Sequence, residues 1–394
     1  MKQVSIMLVA GEASSDQLAA QLAVALRHEL GPRCGFAPIF FGAGGAKMAE
    51  AGVELSLDLV RHAMIGIPSP QQVSKFTGFR DNLLRMALDR CPDVFVGVDS
   101  FAFNGSLAAK IHEAAGKRQG RFHNWRPRIV QFVSPQVWAS RPGRAKRLER
   151  HHDLLLSILP FEKTWYAKHA PKLRVEFVGN PLVDRFAGID VRSNRAREMP
   201  GQLPLVLFLA GSRRSELKRH WPILVEAARL IRSQVPVRFR AVLPNEAMRS
   251  TLENLFPSGR DAGLDIERVV GGLSDSLQEA TVTLASTGTV TVECAWFGVP
   301  TVALYRTNWT TYQIGRRIVT VPFLAMPNLL AGRAVMPEFV QDDATPANVA
   351  QAALRFLKDR QRWAQNREEL LAVAGTLGEP GACERAARAI SGLL

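Results

Sequence analysis

Short apolar runs rich in β-formers alternate with helix-length patterns along almost the whole chain. That alternation commits it to a parallel α/β architecture. In the first half, strands are expected at 4–10, 38–41, 94–98, 129–133, 154–159 and 175–178, with helices at 16–30 and 81–88 between them. Residues 187–203 are polar, mixed in charge and weakly periodic, as a linker would be. A second series then begins, with strands at 205–209, 239–243, 281–284 and 301–305 and helices at 221–233 and 273–280. Helical patterns at 346–358 and 383–393 close the chain. The expectation is two doubly wound, Rossmann-like α/β domains, 1–186 and 204–364, facing across a cleft, with ligands at the carboxyl ends of strands.

Composition narrows the class. With 394 residues and 47% hydrophobic content the chain can fill two cores. No apolar run reaches the ~18 residues that span a bilayer. The apolar opening runs straight into Glu12 and Asp16, unlike a secretory leader, so a cytoplasmic location is expected. Cys34, Cys91, Cys294 and Cys383 lie far apart with no C-x-x-C spacing, and the His151-His152 pair belongs to no H-E-x-x-H, so no metal site is expected. The net charge of +14 favours polyanionic partners: nucleic acid, phosphorylated substrates or an anionic membrane face. It is densest at 141–150, either a solvated helix face or a patch that attracts phosphate or membrane.

The informative turns fall at expected strand ends. Ala285-Ser-Thr-Gly-Thr-Val-Thr-Val-Glu293 joins a strand to a buried helix through small residues. Such a turn leaves main-chain N–H groups aimed at one point, where an anion can sit. Glu293, about one turn further on, could accept hydrogen bonds from ribose hydroxyls, a combination that suits a nucleotide-sugar diphosphate; the bland alternative is an ordinary strand-to-helix turn. Gly211-Ser212-Arg213 offers main-chain donors and a guanidinium that can offset charge on a departing diphosphate, or is simply a surface turn. Asp99 ends the apolar run 94–98, where a carboxylate can serve as general base or as a helix cap.

Other motifs are weaker. Gly42-Ala-Gly-Gly45 lacks the final glycine of G-x-G-x-x-G, since position 47 is Lys47, and reads equally as a loop of close approach. Trp138, in Ser134-Pro-Gln-Val-Trp138, is core packing before it is a ligand platform. Residues 64–79 mix apolar and small side chains and read either as a lid admitting a lipid or as a plain packed connection. No Asp-x-Asp occurs, which favours leaving-group stabilisation by arginine and helix N-termini over a bound cation.

At these positions the chain resembles the lipid-A-disaccharide synthase family of GT-B glycosyltransferases. Gly11-Glu-Ala-Ser-Ser-Asp16 is similar to the family's GEASGD, Pro92-Asp-Val-Phe-Val-Gly-Val-Asp99 to PDVFVGID, and Val133-Ser-Pro-Gln-Val-Trp138 to VSPQVWAW. Ile158-Leu-Pro-Phe-Glu162, Phe177-Val-Gly-Asn-Pro181, Gly211-Ser-Arg-Arg-Ser-Glu216, the Ser-Thr-Gly-Thr turn and Pro327-Asn-Leu-Leu-Ala-Gly-Arg333 follow in the family's order. The resemblance implies an inverting transfer from UDP-2,3-diacylglucosamine to 2,3-diacylglucosamine 1-phosphate, giving a β-1,6 disaccharide and UDP. It implies Asp99 as base. Ser212, Arg213, Thr287, Gly288, Thr289, Glu293 and Asn328 would hold or adjoin UDP, and Glu12, Ser14, Ser15, Asp16 and Asn104 would lie on the acceptor side. It further implies no cofactor or metal, no nucleic-acid partner, a peripheral place on the inner membrane face, and C-terminal helices from about 365 to 394 returning to the first domain. An oligomer is compatible with it.

Four departures stand out. The family's D-A-P-D-F-N is here Asp99-Ser-Phe-Ala-Phe-Asn104; its M-G-x-x-E-V-L run is altered over 64–71; Ser15 replaces a glycine; and Asn180 stands where His is common. Three of these lie on the acceptor side. They keep open a UDP-sugar enzyme with another lipid or glycan acceptor, an epimerase, and, from another class, a non-catalytic or polyanion-binding protein.

Overall fold

The computed structural model describes residues 3–34, 37–62, 70–120, 124–189, 191, 202–257 and 263–394, and divides the chain into two compact units. One unit is Met1–Ala187 with Leu377–Leu394; the other is Gly188–Thr376.

The first unit carries seven parallel strands: β1 (Ser5–Ala10), β2 (Ile39–Gly44), β3 (Glu54–Asp58), β4 (Val94–Val98), β5 (Arg128–Phe132), β6 (Leu154–Ser157) and β7 (Arg174–Phe177). Their order is β3-β2-β1-β4-β5-β6-β7. Central β1 and β4 are apolar on both faces because helices cover both, and Ile6 to Ala10 are fully buried. The second unit holds β8 (Leu205–Leu209), β9 (Arg238–Leu243), β10 (Ile266–Val270), β11 (Ala280–Ser286), β12 (Thr301–Tyr305) and β13 (Glu338–Val340), in the order β10-β9-β8-β11-β12-β13. Each order reverses once, between β1 and β4 and between β8 and β11. At such a reversal the crossovers leave in opposite directions and open a crevice at the carboxyl ends of the two strands.

Strands β3, β10 and β13 were not expected. All three are sheet edges, and their polar residues (Glu54, Asp58, Glu267, Arg268, Glu338) blunt the apolar signal. Among the expected segments, 63–69 lies outside the described residues, as do 190 and 192–201, most of the linker. The rest of the altered acceptor-side run opens the helix Pro70–Arg90.

The chain end needs one boundary moved. The helix Arg360–Gly375 stays with the second unit, where Trp363 Nε1 donates to Thr281 O (2.7 Å) and Arg367 to Phe297 O (2.8 Å). The return to the first unit begins at Leu377, not near 365. There the helix Ala382–Ser391 packs on the helix Ala13–Cys34, joining Ala386 and Ile390 to the core around Leu22 and Leu26. Arg385 Nε fastens it to Val178 O (2.7 Å), and the Asp184 carboxylate accepts from Ala382 N (3.1 Å). Asn180 caps the short helix Pro181–Arg185 by accepting from Leu182 N (3.0 Å), an ordinary task for asparagine.

The glycine cluster 42–45 serves packing rather than a dinucleotide. Gly42 lies inside β2 at φ +149°, and a Cβ there would fall 1.9 Å from Leu8 O on β1. A Cβ on Gly45 would meet the Asp16 carboxylate at 2.7 Å. Gly42→Ala should therefore destabilise the protein by about 3 kcal/mol, the upper range for overpacking. Gly120→Ala, with open space around it, is the control in a urea titration.

Candidate active site

The first reversal is built around Asp99. Asp99 and Ser100 both adopt left-handed backbone, φ 52° and 39°, and Val133, at the end of neighbouring β5, has φ 69°. Each such residue costs on the order of 1–3 kcal/mol, and a β-branched one is the rarest case. Two buried amides hold this shape. Asn104 Nδ2 donates to Asp99 O (3.0 Å) and also reaches Val98 O (3.2 Å) and Val9 O (3.3 Å). Gln131 Nε2 donates to the same Asp99 O (3.0 Å) and to Val133 O (3.3 Å). Main-chain bonds complete the frame, Asp99 N to Phe132 O (2.8 Å) and Val133 N to Leu156 O (3.1 Å). Room for the amides comes from Gly97, whose Cβ would sit 2.8 Å from Asn104 Cβ. Burial raises the Asp99 carboxyl above the usual carboxylate range, and a hydrogen bond from the Ser100 main chain opposes the rise.

Beside Asp99 lies a cavity of about 420 Å³, lined by Phe76, Phe101 and Phe103 with Glu12, Arg80 and Ser106 among the polar groups. Phe76 meets Phe103 edge-on at 6.0 Å. Arg80 donates to Ser106 Oγ (3.2 Å), and its buried Nε, which makes no hydrogen bond, is ion-paired with the Asp81 carboxylate at 3.6 Å. Phe101 and Ala102, both within the altered run Asp99–Asn104, stand in this wall and make it more apolar.

The acceptor-side expectations separate here. Glu12 and Ser14 are exposed beyond β1, and Glu12 faces the cavity. Ser15 is buried, its hydroxyl closing the turn on Glu12 N (3.0 Å) and Glu12 O (2.9 Å). Asp16 accepts from Gly45 N (2.8 Å), Lys47 N (3.0 Å) and Met48 N (3.2 Å), which caps the helix Ala46–Glu50. Ser15, Asp16 and Asn104 therefore shape the site rather than present their side chains to a ligand. Trp138 is likewise core. Its Nε1 donates to Glu162 (3.0 Å), a carboxyl that burial pushes up to about 7.

At the second reversal, β11 ends in the small-residue turn and the helix Thr289–Trp296 begins at Gly288, φ 151°. Thr287 N is taken by Leu304 O (3.2 Å). The N–H groups of Gly288, Thr289 and Val290 have no protein acceptor among the described residues, and Gly288 and Thr289 are exposed. Glu293 stands on the next turn, partly buried.

Across the reversal, the turn after β8 is not the open donor set expected of it. The Glu216 carboxylate folds back to accept from Ser212 N (2.8 Å) and Arg213 N (3.2 Å), and Gly211 leaves it room. The Arg213 guanidinium is open to an anion, 62% exposed though 3.3 Å from Glu216. Asn328 also departs from expectation. It is fully buried, accepts from Val335 N (2.9 Å) and Met336 N (2.8 Å), and donates to Met336 O (2.9 Å), so it fixes its own loop.

Sequence reading missed Gln131, Arg80, Glu216 and His220. Gln131 was visible as the lone polar residue inside an apolar strand, and Glu216 as an acid three positions into a helix, the capping-box spacing. His220 joins the ends of β8 and β12: Nδ1 faces Ala210 O (2.9 Å) and Nε2 faces Arg306 N (3.0 Å). Only the neutral ring protonated on Nδ1 satisfies both, and burial lowers its pKa accordingly.

A model of the lipid-A-disaccharide synthetase family matches residues 6–391. The chain is 32% identical over 393 residues to the lipid-A-disaccharide synthase of Dechloromonas aromatica, covering 98% of each, and 34% identical over 390 residues to that of Geobacter metallireducens, covering 97% and 95%. The chain belongs to the lipid-A-disaccharide synthase family. Membership makes it a hexosyl-transferring enzyme of lipid A biosynthesis.

Solved structures agree on the fold. A putative UDP-N-acetylglucosamine 2-epimerase from Listeria monocytogenes superposes with a TM-score of 0.60 at 15% identity, covering 100% of this chain and 97% of that one. Acinetobacter baumannii MurG gives 0.56 at 15%, covering 99% and 100%. The architecture of this synthase-family chain is GT-B. No described helix is long and apolar enough to cross a membrane.

Replacing Gln131 by Leu removes one of the two side-chain donors on Asp99 O. Denaturation should show a loss of about 1–3 kcal/mol. In steady-state glycosyl transfer, kcat should fall at least tenfold with KM nearly unchanged, since misplacement of a reacting group acts on the chemical step. Equal kcat in a destabilised protein would reduce Gln131 to packing.

Proposed function

We propose that this enzyme joins UDP-2,3-diacylglucosamine to 2,3-diacylglucosamine 1-phosphate, forming the β-1,6 disaccharide with inversion and releasing UDP. The observation that carries this reading is Asp99, a carboxylate of raised pKa at the β1/β4 reversal, beside a cavity that combines phenylalanine walls with a guanidinium. The walls suit an acyl chain, and Arg80 suits the acceptor phosphate. The UDP-bearing structure of S. aureus MnaA and the UDP-GlcNAc-bearing Neisseria meningitidis epimerase share the fold, which supports a UDP-sugar as donor here.

In the proposed step Asp99 takes the proton of the acceptor 6-hydroxyl as its oxygen attacks C1. The C1–oxygen bond to the diphosphate breaks, and its electron pair leaves on the β-phosphate. Gly288, Thr289 and Val290 N–H groups at the helix N-terminus, together with Arg213, stabilise that charge, and Glu293 holds the ribose. No metal has a part in this proposal, and saturating EDTA should leave the rate unchanged. Loss of activity that added divalent cation restores would refute that point.

Asp99→Asn should lower kcat by roughly 10²–10⁴. The wild-type rate should fall at acid pH with a midpoint above the ordinary carboxylate range. Stability gives an independent reading. A carboxyl raised in the folded state favours folding while protonated, and that contribution is lost as pH rises through the folded pKa. Asp99→Asn should therefore raise Tm at pH 7 and leave it nearly unchanged at pH 3. Near-normal turnover by the folded variant would remove Asp99 from the chemistry. Arg213→Ala should raise KM for the donor and lower kcat, leaving KM for the acceptor alone.

A further inference from the structure

We propose that Arg306, at the carboxyl end of β12, binds the diphosphate of the donor at the β8/β11 reversal, as a second guanidinium beside Arg213. The proposal rests on the reading of the donor as a UDP-sugar given above.

Strand register brings Arg306 there. β11 and β12 run parallel with Ser286 beside Leu304, and Thr287 N donates to Leu304 O (3.2 Å), which carries the ladder past the strand end. Two residues beyond these partners come Gly288 on one segment and Arg306 on the other. Paired strands run about 4.8 Å apart. Arg306 therefore leaves the sheet alongside the turn whose Gly288, Thr289 and Val290 N–H groups have no protein acceptor among the described residues. An arginine side chain is longer than that spacing.

A single histidine fixes the position. In the sheet, β11 lies between β8 and β12. His220 Nδ1 donates to Ala210 O at the end of β8 (2.9 Å), and its Nε2 accepts from Arg306 N (3.0 Å). One imidazole thus ties the two neighbours of β11 together at its carboxyl end, with Arg213 following one strand and Arg306 the other. On the next residue, Gln341 clasps Thr307 N and Thr307 O (3.1 and 3.0 Å). Two side chains hold the main chain at 306–307, while the Arg306 side chain is exposed.

The charge balance also favours Arg306. Arg213 lies 3.3 Å from the Glu216 carboxylate, which offsets part of its charge. Arg306 is in no ion pair among the described residues, and no Asp or Glu occurs from Arg306 to Pro337. A guanidinium on a fixed main chain binds an anion with little ordering cost beyond its own side chain, and here it gives up no carboxylate to do so. Its planar fork can take two phosphate oxygens at once.

The test is calorimetric titration of the full chain with UDP. Wild-type protein should bind. Arg306→Gln should bind about tenfold to a hundredfold more weakly, the range for a hydrogen bond between charged groups, with Tm unchanged because the side chain has no partner to lose. Arg306→Lys keeps the charge without the fork and should fall between the two. Arg316→Gln/Arg317→Gln removes two other charges from the same segment and should leave UDP affinity within about twofold, since exposed charges act weakly at a distance in salt. Unaltered UDP affinity in Arg306→Gln would overturn the inference and leave the donor reading standing. So would equal weakening by the Arg316/Arg317 variant, which reduces Arg306 to part of a general positive field. A wild-type chain with no affinity for UDP would sink the donor reading, and this inference with it.

Discussion

Asp99 can stand where it does because two amides buried beneath it take its main-chain oxygen. A left-handed Asp-Ser pair at a strand tip is unfavourable in isolation and persists only when its surroundings over-determine it. Asn104 and Gln131 do so from two different elements, the helix Phe101–Lys117 and strand β5. Their hydrogen bonds also span the ends of β1, β4 and β5, so the reversal point and the carboxylate are held by one network. Gly97 is part of it by lacking a side chain.

The two units use the same topology for opposite electrostatics. At the β1/β4 reversal the Ser15 hydroxyl takes Glu12 N, and Asp99 stands at the strand tip as a carboxylate of raised pKa. At the β8/β11 reversal Glu216 takes Ser212 N and Arg213 N, while among the described residues Gly288, Thr289 and Val290 N–H groups have no protein acceptor and the Arg213 guanidinium is exposed. In the proposed reaction one crevice takes a proton and the other receives negative charge. A transfer reaction needs both, and neither turn could serve the other's purpose without rebuilding its caps.

Much of this was legible in the residues, for identifiable reasons. Strands β4, β8 and β12 have the bounds that their apolar runs predict, because buried parallel strands are apolar on both faces. Edge strands escaped notice because solvent permits polar residues there. Asp99 stood out because an acid that ends a buried apolar run sits at the strand tip. Asn104 and Asn328 were assigned to ligands because an amide in a motif looks the same whether it faces a substrate or a backbone carbonyl. Only the tertiary arrangement decides that, as it decides which sheet the helix Arg360–Gly375 covers.

The base role proposed for Asp99, beside an apolar cavity, faces opposing demands. Dehydration makes a carboxylate a stronger proton acceptor, yet it also favours the protonated form that cannot act. Filling the cavity with an acyl chain would remove further water from Asp99 and push in the unproductive direction. The main-chain N–H of Ser100 acts against this by favouring the ionised form.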